Sequence, residues 1–195
     1  MSVAVVVPVK SFSLAKARLA DVFSTEARAS VGRALADRVV TVVAEAGAEP
    51  LVVGGDEGVL GWARDRGIRA TVAPPGLNAA AAMVTTLTAG RPWAVLHADL
   101  PLLSAADVVP AFDVVAGGGY VLAPSSDGGT ALLGGHGTVT FSYGPASFHR
   151  HLAALADRDP LVLVRTGLLL DLDSPADLTA ALRHPRGRWL AEFLP

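Results

Sequence analysis

Short, unbroken apolar runs alternate with helix-length stretches along nearly the whole chain, and this alternation restricts the fold more than any other feature. The runs are "VAVVVP" (3–8), "PLVVGG" (50–55), "RATVAP" (69–74), "WAVLHAD" (93–99), "YVLAP" (120–124) and "LVLV" (161–164). Most lack the period-two pattern of a half-buried strand, so they suit strands covered on both faces. Between them the pattern predicts helices over roughly 25–46, 56–66, 78–89, 104–116, 145–157 and 174–184. Ser104 with Asp107 reads as a capping box, and Ser174-Pro175 with Asp177 adds a proline at the first helical position. Gly47, Gly67 and Gly90 stand where helices should stop. Strand and helix in turn give an α/β fold, a three-layer α/β/α sandwich around a mostly parallel central sheet. The glycines around 128–137 read as turns between short strands. No linker, charge block or repeat divides the chain, so residues 1–195 are expected to form a single domain.

Composition narrows the function classes. Hydrophobic residues make up 51% and charged ones 17%, the reverse of a disordered chain. The net charge is −2, whereas a nucleic-acid binder shows basic excess, so nucleic acid is not an expected partner. With no cysteine there is no disulfide, thiolate metal site or cysteine nucleophile. The first apolar run is too short for a signal peptide and has no basic region before it. No apolar stretch reaches about 18 residues, so no membrane span is expected and the expected location is cytoplasmic.

Ligands of parallel sheets gather beyond the carboxyl ends of the strands. The first strand empties there into "KSFSLAKARLA", which carries Lys10, Lys16 and Arg18 and no acid. These cations either clasp phosphates or face water at the start of a helix. The Gly-x-x-x-x-Gly-Lys-Ser/Thr phosphate loop is absent. Asp99 closes another strand, and Asp171 and Asp173 stand two apart, on one side of the chain if it is extended. Like charges held close call for a countercharge, commonly a hard cation with oxygen ligands. The bland reading is a strand-end aspartate and a helix cap. "DGGT" (127–130) offers close backbone approach and the Thr130 hydroxyl, or else is a hairpin turn. Gly144 and Ser147 lie at a predicted helix start, which favours anions or is an ordinary cap. His149 and His151 are two apart and do not share a helix face, and His97 reads as structural. Ser125 and Ser126 lack a Gly-x-Ser-x-Gly setting, which argues against a hydrolase triad.

"VPVKSFSLAKARLA", "GLNAA" (76–80), "ADLPLL" (98–103), "APSSDGGTALL" (123–133), "YGPASFHRH" (143–151) and "LDLDSPADL" together span nearly the whole chain. In this order they resemble the guanylyltransferases of deazaflavin coenzyme F-420 biosynthesis, a family that includes phosphoenolpyruvate and 2-phospho-L-lactate guanylyltransferases. The resemblance implies a nucleotidyltransferase fold of the glycosyltransferase-A kind. It implies Mg²⁺-dependent transfer of GMP from GTP to the phosphate of phosphoenolpyruvate or 2-phospho-L-lactate, with release of pyrophosphate. GTP and a small phospho-carboxylic acid are then the partners, and self-association is left open. It assigns Lys10, Lys16, Arg18 and Asn78 to the nucleotide, Asp99, Asp171 and Asp173 to the metal, and Thr130, Gly144 and Ser147 to the acceptor. Lys10 and Asp99 are its catalytic pair. Ser126, Ala131 and Ala146 depart from the family's frequent Arg, Asn and Gly, which bears on the acceptor. The Ala-, Gly- and Arg-rich usage points to the bacterial branch and to phosphoenolpyruvate; 3-phosphoglycerate is a further acceptor in the family. The alternatives are a molybdenum-cofactor type nucleotidyltransferase, whose glycine-rich opening motif is absent, and a catalytically silent nucleotide-binding subunit.

Overall fold

The opening valines form the centre of the sheet. In the computed structural model, which describes residues 2–194, strand β1 (Ala4–Val9) lies between β2 (Glu49–Gly54) and β4 (Trp93–Leu96), parallel to both. β3 (Arg69–Val72) adds in parallel beyond β2. On the other side β6 (Thr130–Gly135) pairs antiparallel with β4 and with β5 (Val121–Pro124), and β7 (Leu161–Val162) pairs parallel with β5. The order is β3-β2-β1-β4-β6-β5-β7, with β6 alone running against the rest.

Helices cover both faces. These are α1 (Thr25–Glu45), α2 (Glu57–Asp65), α3 (Leu77–Thr88), α4 (Ala105–Ala116), α5 (Ser147–Ala154), α6 (Thr166–Leu169) and α7 (Pro175–Arg183). Val5, Val7 and Val9 of β1 join one core cluster with Val39 and Val43 of α1 and Phe112 of α4. Ala4 and Val6 join another, on the opposite face, with Ala81 and Val84 of α3. β1 therefore has no polar face, which is why its apolar run is unbroken. Each fully buried valine contributes about 1.5–3 kcal/mol relative to exposure. A third cluster unites Leu19 of the opening loop, Leu35 of α1, Leu172, Leu178 of α7 and Leu190 of a C-terminal 3-10 run, Pro185–Phe193.

The capping boxes at Ser104 and Ser174 are formed, and Gly47, Gly67 and Gly90 take positive φ at helix ends. The stretch around 128–137 departs from expectation: it holds β6, buried throughout, not only turns. Its glycines answer a packing demand. A Cβ on Gly134 would come within 2.7 Å of the Val115 side chain, and one on Gly135 would run into the Tyr120 ring. Helix α6 and the Pro185–Phe193 run were also not predicted, and the predicted 145–157 helix is shorter, ending at Ala154. Among the described residues no helix is long and apolar enough to cross a membrane.

Candidate active site

The sheet order reverses at β1, with β2 and β3 on one side and β4 on the other. Such a switch point leaves a crevice beyond the carboxyl ends of the two central strands. β1 ends just before Lys10, and β4 ends just before His97-Ala98-Asp99. A cavity of about 800 Å³ opens there. Lys10, Lys16, Arg18, Asp99, Asp171 and Asp173 line it, as do Thr130, Gly144 and Ser147.

The opening loop is pinned at two points. Phe12 is buried edge-on to Trp62, ring centroids 5.5 Å apart, with the Arg33 guanidinium over its face. Leu19 is fully buried. Gly32 lets α1 approach closely, because a Cβ there would lie 2.9 Å from that of Ala15. Between the pins Lys16 takes a left-handed backbone conformation (φ 53°), uncommon for a residue with a side chain. Its ammonium turns back into the cavity and donates to Asp99 Oδ2 at 2.9 Å and Asp173 Oδ1 at 3.0 Å. Lys10 and Arg18 remain exposed on the cavity wall.

The run before α7 supplies the other acids. The Leu172 N–H donates to the Asp99 carbonyl, and the Leu172 side chain is fully buried. Asp171 and Asp173 flank it and both reach the cavity. Burial would raise the Asp99 carboxyl, but the charge and hydrogen bond of Lys16, with His97 beside it, hold it below the usual carboxylate range. Burial likewise pulls on Lys16, and the two aspartates overcome it, so its ammonium stays firmly charged. Asp171 lacks such a partner. Burial first, and then the Asp99 charge, push its carboxyl up to about 6.

These residues suit a hard divalent cation. Asp99 Oδ1 is buried without a hydrogen-bond donor among the described residues, and the candidate ligand atoms are all carboxylate oxygens. The three aspartates are nonetheless not gathered into one cluster: among the described residues no three acidic, histidine or cysteine side chains stand close enough to form a metal cage. Asp99 and Asp173 bracket a single cation, here the Lys16 ammonium, while Asp171 stands in the same wall without it.

Asn78 is not among the side chains lining the cavity. Its carboxamide pairs with the Tyr143 backbone, accepting from N–H at 2.6 Å and donating to C=O at 3.3 Å. It ties the start of α3 to the loop before α5. Thr130 and Ser147 are brought together, hydroxyl to hydroxyl at 3.2 Å, and both are buried. Gly144 has φ 125°, a conformation glycine adopts without strain. Of the departing positions, Ala131 is buried, Ser126 is exposed, and Ala146 takes φ 54° at the entry to α5.

Residue-by-residue reading missed three groups. Asp127 accepts from Ser125 Oγ at 2.5 Å and from Gly129 N–H at 2.8 Å, which shapes the loop before β6; the Ser125 bond leads in holding its carboxyl below the usual range. Tyr143 lies in the wall with its hydroxyl buried and without a hydrogen-bond partner among the described residues. His151 is buried behind Thr130. The available signal was the four-residue spacing from Ser147, which puts the two on one face of α5.

A basic loop facing aspartates across the switch point of such a sheet defines a nucleotidyltransferase-type α/β fold. The fold is shared with a Desulfovibrio desulfuricans G20 protein assigned as a nucleotide-diphospho-sugar transferase, with a TM-score of 0.77 at 17% identity over 98% of this chain and 95% of that one. The chain belongs to the family of CofC-like guanylyl transferases, whose family model matches residues 3–195. It is 37% identical to a phosphoenolpyruvate guanylyltransferase of Rubrobacter xylanophilus, over 91% of this chain and 92% of that protein. It is also 37% identical to a 3-phospho-D-glycerate guanylyltransferase of Phenylobacterium zucineum, over 92% of this chain and 89% of that protein.

Proposed function

We propose that the chain, as a single nucleotidyltransferase domain, moves GMP from GTP to the phosphate of phosphoenolpyruvate and releases pyrophosphate. The product would serve coenzyme F-420 biosynthesis. 2-Phospho-L-lactate would be a slower acceptor and 3-phosphoglycerate the competing assignment. The observation that carries this reading is one cavity lined together by Lys10, Lys16 and Arg18, by Asp99, Asp171 and Asp173, and by Thr130 and Ser147, with Lys16 paired to Asp99 and Asp173.

A phosphate monoester is already anionic near neutral pH, so the acceptor needs no side-chain base to attack the α-phosphorus. A bond from the acceptor's phosphate oxygen to that phosphorus forms, and the bond to the β-phosphate breaks. The chain's task is then positioning and charge neutralisation. Lys10 and Arg18 would hold the departing pyrophosphate. Thr130, Gly144 and Ser147 would hold the acceptor. The remaining apolar wall, including Val53, Ala73, Pro74 and Leu77, would take the nucleoside. Asp99 and Asp173, which already bracket one cation, would hold Mg²⁺ with Asp171 in the same wall, and the bound ion would supply charge neutralisation for the transferred phosphoryl group.

The test is release of pyrophosphate from GTP that depends on an added phospho-acid and on Mg²⁺. Asp99→Asn and Asp173→Asn should abolish release while leaving the circular dichroism spectrum unchanged. Undiminished release in either variant, with Mg²⁺ as the sole divalent metal, would remove the acids from the reaction.

A further inference from the structure

One wall of the cavity is the end of a hydrogen-bond chain whose direction is set from behind. The Ser142 backbone N–H lies 2.8 Å from His151 Nε2. A backbone N–H only donates, so Nε2 must present its lone pair. The ring is neutral, because burial first, and the nearby Arg150 and His97 next, bring His151 down to about 4. A neutral imidazole carries one proton, which therefore sits on Nδ1. Nδ1 is 2.9 Å from Thr130 Oγ1, and the Thr130 hydroxyl accepts from it.

The remaining hydrogens can be counted. Thr130 can turn its own hydrogen to Ser147 Oγ, 3.2 Å away, or to the cavity. If it turns to Ser147, the Ser147 hydrogen is left over. In both cases one hydroxyl hydrogen is left without a protein acceptor among the described residues, on a buried pair that borders the cavity. Further contacts hold the arrangement. The Tyr143 ring meets the His151 ring edge-on, centroids 4.9 Å apart. Arg150 donates to the Ser142 carbonyl at 2.6 Å through Nη2, and to the Pro145 carbonyl, which holds the segment that supplies the Ser142 N–H.

We propose that His151 is a positioning residue that leaves the Thr130–Ser147 pair with a hydroxyl hydrogen to donate toward a carboxylate or phosphate oxygen of the acceptor. Such an end favours a ligand with acceptor oxygens, because a ligand group that can only donate leaves this hydroxyl hydrogen unspent. The identity of the ligand as the phospho-acid acceptor rests on the guanylyl-transfer reading; the direction of the chain does not.

Two measurements test it. Long-range ¹H–¹⁵N correlation on the uniformly labelled protein at pH 7 should show His151 neutral with the proton on Nδ1; a proton on Nε2, or an imidazolium, overturns the proposal whatever the enzyme does. Steady-state kinetics then separate direction from packing. His151→Leu should raise the KM for phosphoenolpyruvate by about 10- to 100-fold with little change in the KM for GTP. His151→Asn, which keeps an N–H near the Nδ1 position, should recover most of that loss. Equal rises in both KM values, or no difference between the Leu and Asn variants, overturn the positioning role. Wild-type protein that transfers GMP to no phospho-acid refutes the functional reading separately, and the ring tautomer still decides the direction of the chain.

Discussion

Lys16 Nζ lies 2.9 Å from Asp99 Oδ2 and closes a bridge to Asp173, so one buried ammonium joins a strand end to the run before α7. Removing that cation leaves carboxylates facing a low-dielectric wall. Lys16→Ala is expected to lose about 1–3 kcal/mol, toward the lower end because Asp173 is half exposed. Mg²⁺ should raise the melting temperature of this variant more than that of the wild type, since both cations answer the same acids. An unchanged melting temperature with no added response to Mg²⁺ would contradict a shared cation position.

Lys10 is exposed, so its replacement should spare the fold. If it holds a phosphate, Lys10→Ala loses a charge-assisted bond of roughly 1.5–3 kcal/mol, or about 10- to 100-fold in GTP affinity. Calorimetric titration of GTP decides this. Equal affinity and rate in the variant would return the residue to a solvated loop.

His151 also predicts an acid response. Its folded-state pKa of about 4 lies below its ordinary value of 6.5. Between those values the unfolded chain takes up the proton and the folded one resists it. The stabilisation is thus complete above pH 6.5 and is lost as pH falls through 4. It amounts to at most about 3 kcal/mol. Urea unfolding at pH 7 and pH 4.5 should show a smaller drop in His151→Asn than in the wild type. Identical drops would mean the ring titrates normally in the fold.

Much of this geometry was legible in the residues. Continuous apolar runs signalled buried strands, and the order of those strands places Lys10 and Asp99 at one edge. The spacing of Asp171 and Asp173 also held, because Leu172 between them sinks into the core. β6 was hidden because Gly134 and Gly135 look like turn residues when their role is to admit Val115 and Tyr120. Asn78 sits beside a glycine at a helix start, and only the tertiary approach of Tyr143 shows where its amide is engaged. His151 was masked by its neighbour His149, since the partner that gives it meaning, Thr130, is distant in sequence and meets it only when β6 packs on α5.

Phosphoenolpyruvate is planar at C2 and 2-phospho-L-lactate is tetrahedral, but their charged ends match, and shape alone discriminates by about 1–3 kcal/mol. The most direct measurement is therefore a matrix of the four ribonucleoside triphosphates against phosphoenolpyruvate, 2-phospho-L-lactate and 3-phosphoglycerate, with product masses read out. The expected result is a GMP adduct of phosphoenolpyruvate as the fastest product, a detectable adduct of 2-phospho-L-lactate, and little turnover with ATP, CTP or UTP. A faster adduct with another nucleotide, or no adduct with any of the three acids, would contradict the guanylyl-transfer account.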